Sequence, residues 1–87
     1  MKTITKLKTE KYKFLPIPGR VYTHWKGGLY EVISLGIMEA TKEEMVIYKS
    51  FQFGTIYIRP LKEWFEIVDG TIFGLGNEIS RFQLYNN

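Results

Sequence analysis

Cysteine is absent from the 87 residues, so disulfides, thiol nucleophiles and cysteine metal sites are all excluded, and the composition fits a reducing compartment. Histidine occurs once, at His24. A metal centre would have to draw its other ligands from carboxylates, and neither HExxH nor a Cys/His spacing is present. Serine is confined to Ser34, Ser50 and Ser80, none of them in a nucleophile elbow. Paired catalytic carboxylates and a triad are missing too, and Gly70 to Gly76 lacks the order of a phosphate-binding glycine loop. These gaps predict a protein that is not an enzyme and uses no metal or cofactor. Met1 to Phe14 has no apolar run of the signal-peptide kind, and no stretch reaches the ~18 apolar residues of a membrane span. The expectation is a cytoplasmic protein with no membrane partner.

Length sets a second limit. A chain shorter than the ~100–150 residues of a typical domain buries only about 60–65% of its unfolded surface. One small domain follows, and homo-oligomerisation is an expected way to bury more. Six Tyr, six Phe and two Trp let few residues fill such a core.

The net charge of +3 is unevenly spread. Residues 1–20 carry six bases against one acid, and residues 21–87 carry six bases against eight acids. The basic character therefore belongs to an N-terminal arm, residues 1–18, and the body, residues 19–87, is mildly acidic. A nucleic-acid-binding domain carries its basic footprint on the folded face, which makes nucleic acid a less favoured partner. The arm reads either as a soluble edge segment or as an electrostatic handle for an anionic partner.

Strand patterns dominate the rest. Arg20 to Trp25 alternates, with Tyr22 and His24 on one face and Thr23 and Trp25 on the other. Gly27-Gly28 is a hairpin turn into Leu29 to Met38, where Gly36 is the expected bulge. After the polar tip Thr41 to Glu44, Met45 to Phe53 is a strand and Gly54-Thr55 a turn. Ile56 to Arg59 alternates again, placing Tyr57 and Arg59 on one face. Pro60 ends that strand and favours about one helical turn over Leu61 to Phe65. Glu66 to Val68 is a short strand, Asp69-Gly70 reads as a type I′ turn with Thr71 to Leu75 pairing back, and Ile79 to Tyr85 closes the chain. Five strands with a one-turn helix before the last predict an all-β fold, a small SH3-like β-barrel.

The run from Tyr22 through His24, Lys26-Gly27, Tyr30 and Val32, then Val46-Ile47-Tyr48-Lys49, then Ile58-Arg59-Pro60-Leu61 with Phe65, then Arg81-Phe82, resembles the small bacterial and phage family known as domain of unknown function 1653. The likeness spans Gly19 to Phe82 and implies the SH3-like barrel. The chain departs from the family pattern at Ile37-Met38, which stand where an Arg-His pair is common, and at Lys49, which stands where an arginine is common.

Several residues could carry recognition. His24 reads either as a strand histidine donating to a backbone carbonyl or as a ligand contact. The planar fork of Arg59 suits a carboxylate or phosphate, or else an internal ion pair with Glu31, Glu63 or Glu66. Arg81 permits the same two readings. Lys26 and Lys49 add cations, and Tyr22, Trp25 and Tyr57 supply rings able to stack a base. Tyr22, His24, Trp25, Lys26, Lys49, Tyr57, Arg59 and Arg81 are thus the expected ligand-binding set. The ligand class they suggest is small, anionic and nucleotide-like, in a phage setting a host nucleotide signal to be sequestered. The alternative is an SH3-like adaptor that binds protein or nucleic acid through an aromatic groove and the basic arm.

Overall fold

The two glycines of the first turn decide how the sheet begins. Gly27 and Gly28 take φ of 108° and 96°, a region closed to most side chains. They fold β1 (Val21–His24) against β2 (Leu29–Ile37), with Tyr22 opposite Tyr30. The computed structural model describes residues 15–85, so residues 1–14 of the expected arm lie outside the described residues. Leu15 packs against the core and Pro16 is fully buried, which places both within the packed body.

Three more strands extend the sheet. β3 (Glu44–Ser50) pairs with β2, and β4 (Ile56–Pro60) pairs with β3. The one-turn helix α1 (Leu61–Trp64) follows, then β5 (Ile67–Val68), β6 (Ile79–Ser80) and β7 (Phe82–Leu84). The main sheet has the antiparallel order β4-β3-β2-β1-β7, and β5 pairs with β6 in a separate two-stranded sheet. The described residues form an all-β fold with one short α-helix.

Pro60 sits at the corner as expected, as the last residue of β4 and the cap of α1, with φ −57° and ψ 135°. The helix buries Leu61 and Trp64 against Tyr22, Val32, Val46, Tyr48 and Phe82. That cluster is the core. It fills one face of the main sheet, the face to which Tyr22, Val32, Val46 and Tyr48 point by the two-residue period of their strands.

Four local expectations are corrected. The register irregularity in β2 lies between Val32 and Ser34, and Gly36 pairs in register with Met45. A Cβ on Gly36 would stand 3.3 Å from Ile47 Cδ1, so glycine there makes room for a neighbour. β3 stops at Ser50, whose buried hydroxyl accepts the Phe53 N–H at 3.1 Å and turns the chain, leaving Phe51 and Phe53 exposed. Asp69-Gly70 is not a type I′ turn, because Gly70 has φ −99°. Asp69 Oδ1 instead accepts the Thr71 N–H at 3.0 Å and starts a 3₁₀ turn over Thr71–Phe73, so the partner of β5 comes later, from Ile79–Ser80. Lastly, Arg81 divides the expected closing strand in two: its N–H bonds the Glu66 carbonyl at 2.7 Å and its carbonyl accepts the Trp25 N–H at 2.9 Å.

Candidate functional site

Strand parity brings the site together. His24 lies opposite Phe82, and Tyr48 opposite Tyr57. Tyr30 shares their face because it pairs with inward-facing Tyr22, and Arg59 shares it because it pairs with Val46. Where α1 does not reach, these side chains line a cleft of about 220 Å³ walled by His24, Tyr30, Tyr48, Tyr57, Arg59 and Phe82.

The cleft floor is continuous with the core. Trp64 stacks on Phe82 with ring centroids 3.8 Å apart and planes 2° from parallel. Tyr48 meets Phe82 edge-on at 5.5 Å, Tyr30 does so at 5.8 Å, and His24 at 4.9 Å. Phe82 is therefore fixed from several sides, and the rings facing the cleft have little freedom to move.

Arg59 is held at three points. Its Nε donates to the Tyr48 hydroxyl at 3.3 Å, its Nη1 to Glu63 Oε1 at 3.0 Å, and its guanidinium carbon lies 5.9 Å from the Phe82 ring centre. The ion pair to Glu63 fixes α1 onto the end of β4. It does not close the site, since the Arg59 side chain stays 27% exposed.

His24 is neutral by arrangement. Its Nδ1 accepts the Lys26 backbone N–H at 3.1 Å, the reverse of the donor role expected for a strand histidine. Burial, followed by the positive charges of Arg59, Arg81 and Lys26, pushes its pKa down to about 4. A ring that already spends Nδ1 on an incoming hydrogen bond carries its own hydrogen on Nε2.

Of the residues singled out from sequence, His24, Tyr57 and Arg59 meet in this cleft. Tyr22 is core, with its hydroxyl accepting the Ile17 N–H at 3.0 Å. Trp25 lines a second hollow with Thr23, His24, Leu75 and Ile79, and Lys26 Nζ lies 5.2 Å from its ring centre. Lys49 alternates with Tyr48 on β3 and so belongs to the opposite face of the sheet. Arg81 is committed to Glu66, Nη2 to Oε1 at 2.6 Å. Tyr30, Tyr48 and Phe82 complete the wall without having been singled out. Their shared face with Tyr22 and Val46 was the available signal. Among the described residues no three of His, Cys, Asp or Glu gather to hold a metal ion, and no helix is long and apolar enough to cross a membrane.

Comparison with known proteins agrees with this architecture. The family model described as protein of unknown function (DUF1653) matches residues 20–84. Comparison with curated proteins returns no match. The crystal structure of a protein belonging to DUF1653 from Bordetella bronchiseptica is similar, with a TM-score of 0.65 and 30% sequence identity over 82% of this chain and 88% of that one. The matched segment carries the hairpin, the proline corner and the whole cleft wall, and the chain belongs to the DUF1653 family.

Proposed function

We propose that the protein is a binding module, without catalytic activity, for a small anionic ligand of nucleotide-like character. One observation carries this reading. A wall of fixed rings stands beside a partly exposed guanidinium, which is the pairing that stacks a planar group while holding its negative charge. The wall contains no carboxylate, which favours holding a ligand over transforming it, and sequestration of a host nucleotide signal is the corresponding role if the chain is phage-encoded. We read the main sheet, with α1 set before its last strands, as the SH3-like barrel that the sequence predicts, and self-association as the way so small a body covers its exposed isoleucines.

Isothermal calorimetry against nucleotides and cyclic nucleotides is the test. Saturable binding at micromolar concentrations that disappears in Arg59→Gln is the expected result. Absence of heat across the panel at high micromolar concentration would sink the reading.

A further inference from the structure

Three of the hydrogen-bonding groups around the cleft face a guest as donors. His24 Nδ1 is occupied by the Lys26 N–H, so the neutral ring meets a ligand only as a donor through Nε2. The Tyr48 oxygen accepts from Arg59 Nε, which leaves its O–H free to donate. Arg59 is a donor throughout, and its bonds to Tyr48 and Glu63 use Nε and Nη1. Three groups from three strands thus offer hydrogens to one cavity. The carboxylate next to them, Glu63, accepts from Arg59 and so already plays the part of an anion.

Size narrows the ligand further. A cleft of about 220 Å³ falls below the ~300–1,000 Å³ of pockets that enclose whole drug-sized ligands. One ring can enter, and its substituents must remain outside. Tyr57 and Tyr48, 5.7 Å apart and 34° from parallel, present flanking ring surfaces for such a group.

We infer that the cleft takes a single planar ring whose inward edge carries a carboxylate or similar anionic acceptor, received by Arg59, Tyr48 and His24, and that Glu63 competes with this edge for Arg59. The inference deepens the binding-module reading and rests on it. Cationic rings are refused because the charged group on the wall is the Arg59 guanidinium, so a second cation meets like charge there.

Three probes that share one ring separate the possibilities: benzoate, benzamide and benzamidine, titrated into the full chain and followed by amide and side-chain NMR signals. Benzoate is expected to give saturable shifts at His24, Tyr30, Tyr48 and Tyr57, benzamide weaker ones, and benzamidine none at these residues. Glu63→Gln, checked for an unchanged fold by its spectrum, should bind benzoate about two- to fivefold more tightly, the scale of one exposed ion pair. Benzamidine binding the cleft as well as benzoate does, or a folded Glu63→Gln that loses benzoate affinity, overturns the inference. If nucleotides bind by calorimetry while benzoate does no better than benzamidine, the ligand class fails alone. If neither nucleotides nor benzoate move the cleft signals, the binding-module reading fails with it.

Discussion

The inner face of the sheet has two halves built from similar rings and put to different ends. Under α1, Trp64 covers Phe82, Tyr22 and Tyr48, and those residues are at most 5% exposed. Beyond the reach of α1, Tyr57 is 40% exposed and the rings border a cleft. A four-residue helix cannot cover a face five strands wide, and the uncovered remainder is where His24 and Arg59 are found. Aromatic content alone does not separate core from site; the length of the covering element does.

Substitution on the two halves should therefore have opposite consequences. Trp64→Ala removes a fully buried indole and is expected to cost about 3–5 kcal/mol in urea unfolding. Tyr57→Ala should cost about 1 kcal/mol or less and instead weaken ligand binding. Equal losses of stability would erase the distinction between the halves.

A pH series gives the next largest effect. The folded-state pKa of His24 lies near 4, below the 6.5 of the free side chain, so the unfolded chain binds the extra proton between these values. Stability is then complete above about pH 6.5 and falls as the pH drops toward 4. Burial of the ring contributes most to this, followed by the charges of Arg59 on β4, Arg81 before β7 and Lys26 in the first turn. Because the ring is only half-buried, solvent screening reduces the expected loss to roughly 1–2 kcal/mol. His24→Gln should flatten the profile over that interval, as measured by melting temperature against pH.

The smallest change in stability belongs to the ion pairs. Arg59→Gln and Arg81→Gln each break one partly exposed pair, Glu63 or Glu66, and should cost about 0–1 kcal/mol. Only Arg59→Gln should abolish binding of anions, since Arg81 is not on the cleft wall. Loss of binding in both would extend the site to Arg81.

Much of this was legible in the sequence. The glycine pair, the proline corner and the two-residue alternation gave the strands, and the face shared by Tyr57 and Arg59 was correctly paired. Alternation could not say which face is inward: on β4 the isoleucines are the exposed set, Ile56 at 53% and Ile58 at 59%, because the opposite face must meet Tyr48 and Val46. Nor could it show that Lys49 and Arg59, both expected at the ligand, stand on opposite sides of one sheet. The turn at Asp69 was misread because a side-chain acceptor at Asp69 and crowding at Gly70, where a Cβ would lie 2.9 Å from Leu75 Cβ, replaced the positive dihedral that Asp-Gly usually signals. The ion pairs of Arg59 and Arg81 were foreseen only as alternatives, since charge spacing does not fix which acid a long side chain reaches.

The stacking of Trp64 on Phe82 has an optical consequence. Trp64 is sealed from water, its indole N–H has no partner among the described residues, and it lies one ring beneath the surface a ligand would touch. Its emission should be shifted to the blue of a solvated tryptophan, and any guest that presses on Phe82 should change the intensity of that emission, giving the protein an intrinsic signal of occupancy that needs no attached dye.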